Sequence, residues 1–360
     1  LNYMNKTKQR LIDILSVQSS SGKEYMMIEY IKYFITKNVP EASVVIKDNN
    51  IYVTKGSSEY YPCVVAHTDT VHDIHKDFKV FDNDNTLFAF SNDNHQQVGV
   101  GGDDNVGLWI GLEMLLDLDI IKCAFFHSEE VGCVGSSQAD MSWFKDVGYV
   151  FQSDRRGNSD FVNSIGGKSL FGRDFSDKIA SVLEHHEYKE TSGAMTDVEQ
   201  LVDNGLDVCV ANMSSGYYNP HTDSETVDFY DAENCLNLIY NLIIHLGCDR
   251  YTNSDFGKSS YDYSNGGKNY WSGGYNSLYE KYNESWEDEY GNEVVYSDGE
   301  EVCYYCGDTV TDSVLGLDNY RYCKGCKADV YYDESIYDVD ENPSLDKINS
   351  ILKDAPDGTI

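Results

Sequence analysis

The first 250 residues alternate between two apolar patterns, one typical of helices and one typical of strands. Apolar residues recur every three or four positions in TKQRLIDILSV and KEYMMIEYIKYFITK, which predicts two amphipathic helices joined by the turn SSSG. Short apolar runs such as PCVVAH and IIKCAFFH end abruptly in polar residues, as buried strands do. Helices that alternate with such strands predict an α/β fold, with a mostly parallel central sheet flanked by helices.

The pattern also predicts where this region ends. A long last helix is predicted over DAENCLNLIYNLIIHLG, with Asp231 as its N-cap and Gly247 as its stop. The periodicity ends after residue 250, where Gly, Ser, Asn and Tyr dominate. We therefore expect four segments: a large domain over 1–250, a flexible acidic linker over 251–300, a small cysteine-containing module over 301–331 and an acidic tail over 332–360.

The charge of the chain excludes several classes of partner. The sequence has 27 basic and 61 acidic residues, a formal net charge of −34. Such a chain repels nucleic-acid phosphates and anionic lipid headgroups, so neither a nucleic acid nor a membrane is expected as a partner. The sequence has no long apolar run and no secretory signal in its first residues, and most of its cysteines are scattered singly, which predicts a cytoplasmic location.

Polar side chains that bind metal ions follow several of the predicted strands. His67 comes directly after PCVVA, and Asp69 is two positions further on. An imidazole is a good zinc ligand, and a carboxylate usually holds the second ring nitrogen of such a ligand. Asp154 follows the strand VGYVFQS, and His221 lies in a loop after a proline. Each of these residues taken alone has an ordinary structural interpretation.

Two acidic pairs complete the pattern. Asp103 and Asp104 follow a glycine-rich segment at the start of a predicted helix, where a plain N-cap is the alternative interpretation. Glu129 and Glu130 follow the strand IIKCAFFH. One glutamate of such a pair can ligate a metal ion while its neighbour takes a proton from water; solvated surface charge is the alternative. In an α/β fold, all these residues would meet beyond the carboxyl ends of the strands.

Taken together, these motifs resemble those of the co-catalytic dinuclear zinc peptidases, the superfamily that includes peptidase T, the glutamyl aminopeptidases and the carboxypeptidase G group. The motifs are HTD, GGDDN, EEVG, a strand-terminal Asp and NPH. The resemblance covers residues 5–247. It implies that two divalent ions bind, zinc first and cobalt or manganese as alternatives. One ion would be held by His67 and Asp154 and the other by Glu130 and His221, with Asp103 bridging the two.

The resemblance also implies the reaction. Asp69 would orient His67, and Glu129 would act as general base and acid on a water molecule between the ions, so that the peptide bond of a short peptide is hydrolysed. Asp154 stands where carboxypeptidase and deacylase relatives often carry glutamate, which favours an aminopeptidase or tripeptidase. The segment between Asp154 and His221 is too short for the lid domain that peptidase T inserts there, so we expect no lid.

Three residues are candidates for substrate binding. Arg155 and Arg173 could pair with a substrate carboxylate, since arginine is rare in this chain; a structural ion pair is the alternative. Asp197, preceded by Thr196, resembles a TD segment that lines the substrate site of related aminopeptidases. A helix N-cap explains these two residues equally well.

The module over 301–331 carries a separate metal motif. Cys303 and Cys306 form one CxxC pair, and Cys323 and Cys326 form a second. Four thiolates at this spacing predict a structural zinc ribbon, which would fold a segment too small to build its own core. Because the module lies in an acidic tail, we expect a protein partner or simple stabilisation rather than nucleic-acid binding.

Two other functions remain open from the sequence. The same chemistry would suit an amidohydrolase that removes an acyl group from N-acyl amino acids. A non-catalytic binding protein could use the same fold, with the ribbon as its contact. The complete ligand set and the presence of Glu129 favour the peptidase over both.

Overall fold

The computed structural model describes residues 2–92 and 95–253, and beyond them only four short strands. The chain divides into two units, Leu1–Ser264 and Asn265–Ile360. The predicted zinc ribbon lies outside the described residues, except for the backbone of two paired antiparallel strands, Ser313–Leu315 and Arg321–Cys323. The side chains of Cys303, Cys306, Cys323 and Cys326 are not described.

The first unit contains the helices and apolar strands that the sequence predicts, together with further strands that it does not predict. The helices are α1 (Asn2–Leu15), α2 (Tyr25–Asn38), α3 (Gly102–Asp117), α4 (Val134–Ser137), α5 (Arg173–His185), α6 (Asp197–Asp203) and α7 (Phe229–Leu246). The strands are β1 (Ser43–Lys47), β2 (Asn50–Lys55), β3 (Tyr61–His67), β4 (Phe78–Asn83), β5 (Thr86–Ser91), β6 (Gln96–Val98), β7 (Ile121–Phe126), β8 (Val147–Gln152), β9 (Asp160–Ile165), β10 (Lys168–Ser169), β11 (Lys189–Gly193), β12 (Val210–Met213), β13 (Tyr217–Tyr218) and β14 (Thr226–Asp228).

A nine-stranded central sheet forms the core of this unit, in the order β1-β2-β7-β3-β8-β12-β9-β10, with β11 also paired to β9. The four middle strands β7, β3, β8 and β12 run parallel to one another. The flanking strands β1, β2 and β9 pair antiparallel. The α/β class and the helix-flanked sheet are confirmed, but the sheet is mixed. Its middle strands are parallel to one another, and β11 is parallel to β9.

The antiparallel edge has a local cause in the sequence. Asp48 and Asn49 form a two-residue turn between β1 and β2, with φ angles of 51° and 61°. Two successive residues with positive φ make the turn that suits a tight hairpin, so β2 folds back on β1. A parallel pairing would need a long crossover connection instead.

The middle of the sheet is covered on both faces. Every residue of β3, β7 and β8 is buried, which explains why these strands are continuous apolar runs. The helix α3 packs against β3 and β7 and is itself buried through most of its length. Glu113, a buried acid of this helix, pairs with Arg10 of α1 at 2.5 and 2.6 Å. This cover of helices holds the start of α3 against the ends of the strands.

A second, five-stranded sheet has the order β13-β14-β5-β4, with β6 paired to β5. The sequence analysis does not predict β4, β5 and β6, although FKVFDNDNTLFAF contains a hairpin signal. Asp84 and Asn85 form its turn, again with positive φ angles of 52° and 75°. The connection between β13 and β14 carries His221, so this sheet supplies one candidate site residue.

The start of α7 differs from the prediction. Its N-cap is Asp228, whose carboxylate accepts the main-chain N–H groups of Tyr230 and Asp231. Asp231 lies in the first turn and accepts the hydroxyl of Tyr218. The predicted stop is confirmed, since Gly247 is the C-cap with φ 66°.

The segment between Asp154 and His221 contains no inserted domain. Its residues form β9 to β13 with α5 and α6, and four of these strands belong to the central sheet. Nor does any helix among the described residues have the length and apolar character needed to cross a membrane.

Candidate metal centre

Four candidate residues lie at the same edge of the central sheet because three neighbouring strands end there. His67 is the last residue of β3, Glu129 and Glu130 follow β7, and Asp154 follows β8. Since β7, β3 and β8 are adjacent and parallel, their carboxyl ends meet. The sequence prediction that these side chains lie together is correct in its geometry.

Asp103 reaches this edge from the start of α3. The preceding Gly101 has φ 71°, and a cis peptide bond joins Asp103 to Asp104. One carboxylate oxygen of Asp103, Oδ1, is 3.3 Å from Nε2 of His67, and the other, Oδ2, is 3.2 Å from Nε2 of His221. A single carboxylate therefore lies between the two histidines, one oxygen toward each.

His221 comes from the second sheet. It has φ 62° and lies in the connection between β13 and β14, with its side chain 52% exposed. Its Nε2 is 3.2 Å from Oε1 of Glu130 as well as from Asp103. On the other side of Asp103, Nε2 of His67 is 3.7 Å from Oδ1 of Asp154. The five residues thus form two groups that share Asp103.

These spacings fit divalent metal ions. Ligand atoms about 2.0–2.1 Å from a tetrahedral zinc ion lie roughly 3.3 Å from one another. The four contacts above range from 3.2 to 3.7 Å. Atoms of His67, Asp103 and Glu130 also lie within 4.8 Å of one another, as do atoms of His67, Asp104 and Asp154. Imidazole nitrogens and carboxylate oxygens are ordinary zinc, cobalt and manganese ligands.

The electrostatics of the cluster also favour cations. Burial raises the pKa of Glu129 to about 9, of Glu130 to about 7 and of Asp154 to about 6. For Asp103, hydrogen bonds with His221 and His67 outweigh the effect of burial and lower the pKa. The bond to Asp103 in turn raises the pKa of His221 to about 9. Carboxylates outnumber imidazoles in a small buried volume, and divalent cations would neutralise this excess charge.

Asp69 shapes the site in more ways than the sequence predicts. Nδ1 of His67 is 2.9 Å from the main-chain carbonyl of Asp69 and 3.4 Å from its carboxylate. The same carboxylate accepts the main-chain N–H groups of Glu129 at 2.8 Å and Glu130 at 3.2 Å, and the hydroxyl of Ser21 at 2.7 Å. Asp69 therefore links the His67 ring to the turn that presents both glutamates.

Asp154 is held by side chains from three other elements. Thr196 occupies the N-cap position of α6, but its hydroxyl makes no cap and lies 2.9 Å from Oδ2 of Asp154. The hydroxyl of Tyr217 donates to Oδ1 at 3.2 Å. The amide of Asn212, in β12, accepts the main-chain N–H of Asp154 at 2.9 Å and donates to its carbonyl at 2.7 Å. Thr196 is thus the N-cap residue of α6 by position, while its side chain contacts Asp154 instead of capping the helix.

Asp104 has a different environment from Asp103. Its carboxylate accepts the main-chain N–H groups of His67 at 3.2 Å and Gly107 at 3.0 Å. Asp103 and Asp104 both have non-helical backbone angles, so the regular turns of α3 begin after them. Asp104 thus acts as the cap of these turns and ties them to the end of β3.

The three substrate-binding candidates lie in different places. Asp197, the first residue of α6, is fully buried and accepts Nε2 of Gln152 at 3.2 Å. Arg155 follows Asp154, but its guanidinium donates to Asp160 at 2.8 Å. Arg173 begins α5 with its side chain 90% exposed, and it pairs with Asp177 of the same helix. The structure brings Asp197 next to the cluster and does not bring Arg173 there.

Several contacts of the site carry no recognisable signal in the sequence. The thiol of Cys133 donates to Oε1 of Glu129 at 3.3 Å. Gln152, Asn212 and Tyr217 contact Asp154 or its neighbours, yet they lie 2 to 63 positions away along the chain. Such residues are found only when the fold is known, because their types are common and their spacing follows no motif.

The fold and the cluster together define an α/β protein whose candidate metal centre lies at the carboxyl ends of parallel strands. No protein-family model and no curated protein matches the sequence. Solved structures do match. The aminopeptidase PepT from Bacillus cereus is 12% identical with a TM-score of 0.55, over 68% of this chain and 98% of that one.

Two further matches agree with it. A tripeptidase from Staphylococcus aureus is 12% identical with a TM-score of 0.52, over 68% of this chain and 97% of its own. An aminopeptidase from the archaeon Desulfurococcus kamchatkensis is 15% identical with a TM-score of 0.52, over 68% of this chain and 96% of its own. The chain therefore has the fold of these peptidases, and the fold that the motif resemblance implies is confirmed.

Proposed function

We propose that this chain is a metal-dependent exopeptidase that removes residues from the amino end of short peptides. The observation that carries the proposal is the position of Glu129 beside the candidate ligands. Its Oε2 is 4.0 Å from Nε2 of His67, farther than the 3.2 to 3.7 Å contacts within the two groups. This longer distance supports a role for Glu129 as a general base beside the ligands rather than as a ligand itself.

Each residue of the cluster has a distinct role in this proposal. His67, Asp154 and Asp103 would hold one ion, and Asp103, Glu130 and His221 would hold the other. When bound, the two divalent cations polarise the peptide carbonyl and acidify a water molecule. Glu129 takes the proton of the attacking water and returns it to the departing amine.

The charges around the cluster favour substrates with a free amino group at the cleaved end. The carboxylates in and around the cluster are those of Asp69, Asp103, Asp104, Glu129, Glu130, Asp154 and Asp197. Two divalent cations would supply four positive charges, fewer than these carboxylates, so negative charge would remain uncompensated. This charge attracts a free ammonium group and repels a free carboxylate. The two arginines that could receive a carboxylate make ion pairs elsewhere. Unblocked peptides therefore suit the site better than N-acyl amino acids.

The test is hydrolysis of a substrate panel by the full chain and by Glu129→Gln. The panel contains unblocked di- and tripeptides, N-blocked peptides and N-acyl amino acids, each assayed after chelation and after return of zinc, cobalt or manganese. Glu184→Gln, on the exposed side of α5, is the matched control. We expect unblocked peptides to be cleaved only with metal, and Glu129→Gln to lose about 10²–10⁴ in kcat with unchanged metal content.

Two results would replace the proposal. Cleavage of N-acyl amino acids without cleavage of free peptides would assign a deacylase. Bound metal without hydrolysis of any substrate would assign a binding protein that uses the same fold.

A further inference from the structure

A buried glutamate lies behind the candidate metal centre, outside the set of proposed ligands. Glu225 directly precedes β14, and its side chain is fully buried. Its carboxylate accepts three hydrogen bonds: Oε2 accepts the main-chain N–H of Gly101 and Nε2 of His72, both at 2.7 Å, and Oε1 accepts the main-chain N–H of Asp103 at 3.1 Å. Because a carboxylate only accepts, Nε2 of His72 carries the hydrogen.

These bonds join three loops, each of which carries part of the candidate centre. Glu225 closes the loop whose tip is His221, and its main-chain N–H donates to the carbonyl of Thr222 within that loop. Asp103 is the residue proposed to lie between the two ions. His72 lies in the loop after β3; this strand ends at His67, and Asp69 lies in the same loop as His72. One carboxylate thus connects the His221 loop, the Asp103 loop and the loop after β3.

The glycines of the segment GVGGDD are explained by the same contact. A Cβ atom at Gly99 would lie 1.9 to 2.3 Å from ring atoms of His72. A Cβ atom at Gly102 would lie 2.7 Å from Val227 and 2.8 Å from Tyr217. These residues belong to β14 and β13, the strands on either side of the His221 loop. Because Gly99 and Gly102 have no side chains, the Asp103 loop can lie close enough to Glu225 for the carboxylate to accept its main-chain N–H groups.

We infer that Glu225, held by His72, is a positioning residue that sets the separation of Asp103 and His221. The inference rests on the proposed function, in which these two residues share an ion. The 3.2 Å contact between Oδ2 of Asp103 and Nε2 of His221 joins two loops. Among the described contacts, the bonds of Glu225 are the ones that fix the backbone of Asp103 to the His221 loop. Glu225 acts through the ligands and touches neither substrate nor ion.

The test is metal binding by Glu225→Gln in the full chain. The variant keeps the size of the side chain but places an amide NH₂ against either Gly101 and His72 or Asp103, so that donor faces donor. Asp223→Asn is the matched control, because it removes the same charge from an exposed position of the same loop. Each chelated protein is titrated with Co²⁺ and followed by visible absorption, and kcat and KM are measured for an unblocked tripeptide.

We expect Glu225→Gln to bind the second Co²⁺ ion 10–100-fold more weakly and to lose kcat with little change in KM. Asp223→Asn should stay within about twofold of the wild type, since it makes none of these bonds. All variants share the cysteine-containing tail, so its contribution to the titration cancels. Equal Co²⁺ affinity in Glu225→Gln and the wild type would overturn the inference, and so would an equal loss in Asp223→Asn.

Two His72 variants decide the question if Glu225→Gln does not fold. His72→Gln retains a side-chain N–H donor toward Glu225, whereas His72→Leu removes it. Weaker Co²⁺ binding in His72→Leu with recovery in His72→Gln supports the inference, and equal binding in both overturns it. The titration needs no substrate. A wild-type chain that binds metal but cleaves no peptide would therefore refute the proposed function, and the Co²⁺ affinities of the variants would still test this inference.

Discussion

Asp69→Asn tests how the turn that presents Glu129 and Glu130 is held. Each oxygen of the Asp69 carboxylate accepts one main-chain N–H of this turn, at 2.8 and 3.2 Å. Asparagine has one oxygen and one NH₂ group, so in either orientation one of the two N–H groups faces a donor. His67 keeps its bond to the main-chain carbonyl of Asp69, so the substitution acts mainly on the glutamates.

The magnitude follows from the lost bond. A hydrogen bond to a charged group contributes about 1.5–3 kcal/mol, so loss of one such bond weakens the native turn by roughly 2 kcal/mol. At about 1.4 kcal/mol for each factor of ten, this corresponds to roughly a 30-fold decrease if it appears entirely in kcat. Burial by itself would raise the pKa of Asp69, but hydrogen bonds from His67, Ser21 and Glu129 hold it below its usual value. Asp69 is therefore ionised throughout the neutral range.

The assay compares kcat and KM for an unblocked tripeptide in the wild type, Asp69→Asn and Ser21→Ala, with the metal content of each measured by elemental analysis. Ser21→Ala removes a donor to Asp69 but leaves both main-chain bonds in place, so we expect a decrease of less than about fivefold, the equivalent of ~1 kcal/mol. The reasoning is refuted if Asp69→Asn keeps at least half of its kcat, or if its loss is fully accounted for by missing metal.

Two further substitutions test the packing around the site. In Gly107→Ala, the new Cβ would lie 2.3 Å from Oδ1 of Asp104, so we expect overpacking to destabilise the chain by about 1–3 kcal/mol, measured as a lower Tm. Arg10→Met leaves Glu113 buried without its partner and should lower the free energy of unfolding by about 3–5 kcal/mol, while adding Glu113→Leu should restore most of it. Burial raises the pKa of Glu113, and Arg10 opposes this rise. Without Arg10, Glu113 therefore keeps its proton in the native state at pH values above 4.5, where the unfolded chain has released it. The stability of that variant should therefore fall as pH rises, and a pH-independent urea midpoint would contradict this explanation.

The parts of the fold that the sequence predicts are those with strong local patterns. The buried strands β3, β7 and β8 are continuous apolar runs, and polar residues follow each of them directly. Placing His67, Glu130 and Asp154 at one edge then requires only that the strands be parallel neighbours. The stop of α7 at Gly247 is equally local, because glycine suits a residue with positive φ.

The features that the sequence does not predict depend on contacts between distant segments. The second sheet is built from short strands, and β4 has no fully buried residue, so its apolar pattern is weak. Thr196 has the sequence environment of a helix cap, but β8 passes close by and its hydroxyl contacts Asp154 instead. Asp228 caps α7 in place of Asp231 because the strand β14 ends directly before the helix. For Thr196, a tertiary contact outweighs a local preference; for α7, the observed cap is as local as the predicted one.

The order of strands in the central sheet has a consequence for biosynthesis. β12 lies between β8 and β9, although it is formed by residues that follow both of them along the chain. When a nascent chain has reached only β9, the place beside β8 is therefore still open, and Asp154 lacks the Asn212 amide that later binds its backbone on both sides. The His221 loop emerges later still. A ribosome-bound chain can thus fold the part of the cluster around Asp103, Glu130 and Asp154 before His221 emerges, so the complete set of candidate ligands forms only late in synthesis.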